Sequence, residues 1–264
     1  MIGLIIIGDE ILSGRRQDKH LHKAIELLRE RGMALSWVRY VGDDPEAIKA
    51  DVCHALASGD VVFSFGGIGA TPDDHTRACA GRAVGRPLVL HPKARELILL
   101  RTQEMADEAG QEFDPQSPNS LHRLQMGFFP EGSQIIPNPF NRIPGFSLEG
   151  RVHFLPGFPV MAWPMMAWAL DHLHRDLHGK SKTREKAVVV YGGIESVLTP
   201  LMISIEDRYA PVKVFSLPSV DHPVHGRHIE LGVKGAPEMV DAAFEALQLG
   251  LAQFGAKTGP ISVR

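Results

Sequence analysis

The chain has 264 residues, 44% of them hydrophobic, and a formal net charge of −3. That length holds one large domain or a medium one and a small one, and the weak negative charge excludes a general electrostatic pull toward nucleic acid or membrane. No apolar run is long enough to span a bilayer, and the two cysteines, Cys53 and Cys79, are too few for a disulfide framework, which fits a reducing cytoplasm.

The N-terminal MIGLIIIGDE is apolar but short, and it lacks a basic flank. It predicts a first strand over residues 3–7 and not a signal peptide. GDEILSG follows as a loop. A helix over 18–31 places Leu21, Ala24, Ile25 and Leu28 on one face, with Gly32 as its stop. Residues 35–41 alternate as a second strand, and GDDP turns into a helix over 46–57. Cys53 and Cys79 both fall in predicted helices and read as small core residues.

Residues 61–76, VVFSFGGIGATPDDHT, organise the chain. Val61 to Phe65 reads as a buried strand. Gly66, Gly67 and Gly69 let the backbone turn tightly and approach a ligand without a Cβ in the way. Thr71 as N-cap, Pro72 in the first turn and Asp74 three residues on predict a helix that starts here and runs to about Val84. An asparagine at position 74 would keep such a cap. Strand, glycine loop and helix N-terminus make a cradle of N–H groups that favours phosphate. No Lys-Ser/Thr follows the last glycine, so the loop is not the ATPase type, and it is not GxGxxG.

A helix over 93–109 follows. Residues 110–150, with QEFDPQSPNS and IIPNPFNRIPGFSLEG, predict turn-rich chain crossing the surface. A strand over 152–155, the PGFP turn and an apolar helix over 160–173 complete the first part. The polar, basic HGKSKTRE, 178–185, reads as a linker and marks a domain boundary. Strands over 186–191, 212–216 and 228–233, with helices over 195–205 and 237–254, predict a small α/β unit, and the tail after Lys257 reads as frayed. The alternation of strands and helices implies βαβ units and a mainly parallel sheet.

Loops at the C-terminal ends of parallel strands converge. Asp9 and Glu10, Asp43 and Asp44, and Asp73 and Asp74 could therefore meet near one pocket and suit a hard divalent cation bridging phosphate oxygens. Asp44 and Asp73 read equally as caps or solvated turns, and spacing does not say which acid would bind metal. His174 and His178, and the cluster His222, His225, His228, have no nearby Cys or Glu that completes a zinc pattern.

GDEILSGRRQDKHL, YVGDDPEAI, GGIGATPDDHTRACAGRAVGRPLVLHP, NPFNRIPGF and LPGFP together resemble the molybdopterin-binding-like domain of the CinA family. Its superfamily includes MogA, MoaB, gephyrin-type domains and one half of eukaryotic FAD synthase. GGIESVLTPLMISIEDRYAPVKVFSLPS resembles the small KH-like domain that follows in CinA proteins. The resemblance implies a three-layer α/β/α, mainly parallel, MogA/MoaB-like domain over 1–178 and a KH-like α/β domain over 185–256, without the nicotinamide-nucleotide deamidase domain of long members.

By resemblance, Gly66, Gly67, Gly69, Thr71, Asp73 and Thr76 surround a phosphorylated ligand. Gly8, Glu10, Ser13 and Gly14 stand in the GDE loop, and Asn138, Pro139, Pro144 and Gly145 in a late pocket loop. Asp43 and Asp74 fall on two aspartates linked to molybdate handling in the MogA branch, and with Asp9 they are the converging acids expected to be catalytic and metal-binding if the protein is a hydrolase. Ala70 replaces the usual proline, and TPDD departs from the MogA pattern toward CinA. Two readings follow: a cytoplasmic molybdopterin-binding protein, or a pyrophosphatase cleaving ADP-ribose, FAD or a related dinucleotide with Mg²⁺, Mn²⁺ or Co²⁺. Either expects a small phosphorylated ligand, no membrane and a homo-oligomer. A GXXG loop is missing from 186–235, so no nucleic acid is expected.

Overall fold

A computed structural model describes residues 1–180 and 184–263. The chain divides into two compact units, Met1–Lys180 and Ser181–Arg264. Within the linker 178–185, residues 181–183 lie outside the described residues. No described helix is long and apolar enough to cross a membrane.

The first unit runs β1 (Ile2–Ile7), α1 (Asp9–Leu12), α2 (His20–Arg29), β2 (Trp37–Val41), α3 (Pro45–Ser58), β3 (Val61–Phe65), α4 (Thr76–Val84), β4 (Leu88–Leu90), α5 (Pro92–Glu108), α6 (Pro118–Leu124), β5 (Phe128–Pro130), β6 (Gln134–Ile136), β7 (Gly145–Leu148), β8 (Val152–Leu155) and α7 (Pro159–His172). Its main sheet has the order β2-β1-β3-β8-β7-β6. β2, β1, β3 and β8 are parallel, and β7 and β6 complete the sheet antiparallel. β4 and β5 pair separately.

The central strands β1, β3 and β8 are mainly apolar on both faces because helices cover both. Ile5 and Ile7 of β1, Val62 of β3 and Phe154 of β8 pack into one layer with Ile48, Val52, Cys79 and Ile98 from α3, α4 and α5. Leu4 and Ile6, Phe63 and Phe65, and Leu155 pack into the opposite layer with Leu27 and Leu28 of α2 and Met165 and Met166 of α7. The rings of Phe129, Phe146 and Phe154 stack with centroids 4.7 and 4.5 Å apart. This is the three-layer α/β/α arrangement, with a mixed sheet.

The second unit runs β9 (Arg184–Tyr191), α8 (Glu195–Arg208), β10 (Lys213–His222), β11 (Gly226–Gly235), α9 (Pro237–Gln253) and β12 (Lys257–Val263). Its sheet order is β10-β11-β9-β12, antiparallel throughout, a split βαβ arrangement. Val188, Val190, Leu231 and Val233 face Leu198, Phe244 and Leu247 to form its core.

Several expectations are corrected. GDEILSG contains the four-residue helix α1 and is not only a loop. Residues 110–150 supply α6 and β5 to β7, and all of β7 is buried in the main sheet, so this segment does not merely cross the surface. The tail after Lys257 is a strand whose ladder with β9 takes up its backbone groups. Cys79 is buried, but Cys53 is exposed and is no core residue. The helix foreseen from Thr71 begins only at Thr76, for a reason that lies in the loop itself.

Candidate functional site

The parallel strands β1, β2, β3 and β8 bring their C-terminal loops to one edge of the sheet, the expected place for a ligand. The loop after β3 is held by its own side chains. Asp74 Oδ1 accepts from the Gly69 amide at 2.9 Å, and Oδ2 accepts from the Thr71 amide at 2.8 Å and from Thr71 Oγ1 at 2.6 Å. Such local side-chain bonds offer the backbone an alternative to the helix, so TPDD folds as a turn. Thr76, buried at the start of α4, donates from Oγ1 to the Gly66 carbonyl at 3.1 Å and from its amide to the Gly67 carbonyl at 3.0 Å. The Arg77 guanidinium, largely buried, donates to the carbonyls of Gly69 and Gln125. Burial pushes its pKa down, and the charge of Asp74 opposes that shift. Among the described residues, the amides of Gly67, Ile68 and Ala70 have no hydrogen-bond partner.

These residues line a cavity of about 380 Å³. Residues 67–71 and Asp74 form one wall. Asn138, Asn141, Ile143 and Pro144 form a second, and Pro156, Gly157, Phe158 and Met161 a third, with Met126 between. The walls are mainly apolar, with a few polar groups at the glycine loop, a composition suited to an organic ring carrying a polar substituent. Asn138 is a staple of its loop: it accepts from the Phe140 amide at 3.0 Å and donates to the Ile143 carbonyl at 2.9 Å and Asn141 Oδ1 at 2.7 Å.

The acids do not gather as one set. The Asp9 amide donates to Asp43 Oδ2 at 2.9 Å, and the Asp43 amide donates to Asp9 Oδ1 at 3.2 Å. Burial raises the Asp43 pKa, and the charges of Asp9, Glu10 and Asp73 raise it further against the Asp9 amide. Asp44 caps α3, accepting from the Ala47 amide at 2.8 Å. Asp74 is turned into the glycine loop, away from this arrangement. No three His, Cys, Asp or Glu side chains among the described residues are placed to hold a metal ion. The described residues therefore do not bring Asp9, Asp43 and Asp74 together as the three-carboxylate centre expected from the convergence of the loops.

Of the other residues singled out by sequence, Gly67, Gly69, Thr71, Asn138 and Pro144 line the cavity, and Gly66 and Thr76 lie directly behind it. Pro139 is exposed and does not line it. Gly145 is buried in β7, where a Cβ would meet the Phe154 carbonyl oxygen at 2.4 Å, so its role is packing. Glu10 lines a second recess of about 300 Å³ that shares Gly157 with the cavity. Gly8, Ser13 and Gly14 line neither space; Ser13 closes α1 through its amide. Sequence reasoning missed Arg77, Met126, Asn141 and Met161. Arg77 had a local signal, an arginine in the DDHTR run after the loop, and the others had none.

Gly67 has φ +67°, and a Cβ there would lie 2.2 Å from Thr76 Oγ1. Gly67→Ala should cost at least about 1–2 kcal/mol from the left-handed conformation alone. Urea unfolding that leaves its stability within about 0.5 kcal/mol of wild type would refute this.

The model of the probable molybdopterin binding domain family matches residues 3–175. A CinA-like protein of Syntrophotalea carbinolica is 30% identical over 195 residues, covering 72% of this chain and 45% of that protein. A CinA-like protein of Mycobacterium tuberculosis is 28% identical over 242 residues, covering 89% of this chain and 55% of that protein. The chain thus spans about half the length of these relatives. The crystal structure of the protein CinA, of unknown function, from Thermoplasma acidophilum matches with a TM-score of 0.54 at 26% identity, over 65% of this chain and 98% of that one. With its three layers, its glycine loop after β3 and a family match over residues 3–175, the chain belongs to the molybdopterin-binding-domain family, with CinA-like proteins among its relatives.

Proposed function

We propose that the first unit binds a phosphorylated pterin of the molybdopterin type, with the phosphate on the glycine loop and the ring system in the adjoining cavity. The observation that carries this reading is the set of unpartnered amides at Gly67, Ile68 and Ala70 on the wall of an apolar cavity. Backbone N–H groups in such a loop form an anion-binding concavity without a charged side chain. Asp74 would otherwise repel a phosphate, but its carboxylate is engaged by the loop's own donors. The family's description supports the same ligand class.

On this reading the partner is a small molecule and not nucleic acid or membrane. The second unit, proposed as KH-like, serves assembly into a homo-oligomer. Calorimetric titration with neopterin phosphate and with neopterin tests the ligand. The phosphorylated compound should bind at least tenfold more tightly and raise the melting temperature, because a ligand selective for the native state stabilises it. Equal affinity for both compounds contradicts the phosphate assignment. ADP-ribose hydrolysis stimulated by Mg²⁺, Mn²⁺ or Co²⁺, with no pterin binding, would put the pyrophosphatase reading in its place.

A further inference from the structure

We infer that His20 is a positioning residue for the glycine-loop cavity: its ring N–H holds the Gly157 carbonyl and so fixes the wall that faces the glycine loop. This deepens the ligand assignment above and rests on it for its binding arm only.

His20 opens α2 and is 6% exposed. Its Nε2 lies 3.0 Å from the Gly157 carbonyl oxygen, 137 positions away in sequence. A carbonyl can only accept, so Nε2 carries the hydrogen. Nδ1 is then a bare lone pair, buried and without a partner among the described residues. Burial lowers the pKa of the ring and favours this neutral form.

The ring is held from two further sides. It stacks on Phe65 with centroids 4.5 Å apart, and Phe65 is the last residue of β3 before the glycine loop. Asp18 fixes the backbone beneath it: Oδ1 accepts from the His20 amide at 2.7 Å, and Oδ2 accepts from the Leu21 amide at 3.1 Å and from the Tyr40 hydroxyl at 2.8 Å. Gly157 belongs to both the apolar cavity and the polar recess lined by Glu10, Arg16 and Lys19, so its peptide is the partition between them. A Cβ on Gly157 would lie 3.5 Å from the Gly66 Cα, so the space between the partition and the glycine loop would be filled by a single added carbon. A shift of one is a shift of the cavity's width. His20 touches the root of one wall and tethers the other.

Two substitutions in the full chain separate the tether from the packing. His20→Phe keeps an aromatic ring on Phe65 and has no donor. His20→Gln has no ring but can offer an amide N–H near the former Nε2. Hydrogen–deuterium exchange should show faster exchange over residues 156–161 in His20→Phe and near wild-type exchange there in His20→Gln. Neopterin phosphate should bind at least tenfold more weakly to His20→Phe and within about threefold of wild type to His20→Gln, whatever the order of their melting temperatures. Wild-type exchange over 156–161 in His20→Phe overturns the proposal. So does an affinity loss that follows melting temperature in both variants. If wild type does not bind neopterin phosphate, the ligand assignment fails, and the exchange measurement still decides the role of His20.

Discussion

Lowering the pH from 7 to 4.5 is expected to remove about 2.5 kcal/mol of stability from the first unit through His153 alone. His153 lies on β8 with no exposed surface, and its Nε2 is 2.6 Å from Nε2 of His174. Its Nδ1 has no partner among the described residues. Burial, with a smaller contribution from His174, pushes the His153 pKa down to about 3. Burial also lowers His174, against the charge of Asp176. A histidine in the unfolded chain titrates near 6.5. Between 6.5 and about 3 the unfolded state therefore binds more protons than the folded state. The stability from keeping His153 neutral is fully present above 6.5 and is lost as pH falls through that window, by up to about 1.4 kcal/mol per pH unit. Carboxylates held low, such as Asp171 beside Arg31, begin to matter only near and below their ordinary value of 3.8. Urea titrations at pH 7, 5.5 and 4.5 measure the slope. His153→Gln, which cannot take up a proton, should flatten it by about one proton. A wild-type slope as flat as that of the variant would refute the assignment.

Asp74→Asn should lower the melting temperature by roughly 4–8 °C, the change that about 2 kcal/mol produces in a unit of this size. As a helix-capping residue Asp74 would tolerate asparagine. In the folded loop its carboxylate meets only donors: the amides of Gly69 and Thr71 and the Thr71 hydroxyl. Asparagine keeps one acceptor oxygen and sets an NH₂ against the remaining N–H groups. Hydrogen bonds to a charged acceptor contribute about 1.5–3 kcal/mol, and partial exposure of Asp74 places the loss inside that range. The free amides of Gly67, Ile68 and Ala70 depend on the same loop geometry, so affinity for neopterin phosphate should fall at least tenfold. A melting temperature within 1 °C of wild type, or unchanged affinity, would show that the carboxylate does not hold the loop.

The difference between those two pictures of Asp74 shows what was legible in the sequence. β1, β3 and β8 are mainly apolar runs ended by Gly or Pro, and their buried places in the sheet follow from that pattern. β7 was hidden because Pro144 and Gly145 read as turn chemistry, although Gly145 is there to let the Phe154 backbone approach. β12, KTGPISV, carries Gly and Pro in its middle, and its ladder with β9 has an irregularity between Thr258 and Ile261. Only the partner strand explains it. The glycine-loop wall of the cavity was legible because its residues are consecutive. Met126, Asn141 and Met161 come from separate elements, and nothing local marks them. Arg77 was overlooked because an early-helix arginine usually faces water, whereas this one serves the Gly69 carbonyl of the loop just before it and the distant Gln125 carbonyl.

The place of β12 also bears on when the second unit can form on the ribosome. β9 is the first strand of that unit, and it lies between β11 and β12, with Val188 opposite both Leu231 and Ile261. Domains tend to fold in order of synthesis, and pairings between distant residues wait for the later residue to emerge. The first unit holds all its strands by Leu155 and its last long helix by His172. β9, made soon afterwards, keeps one edge open until residues 257–263 have left the exit tunnel.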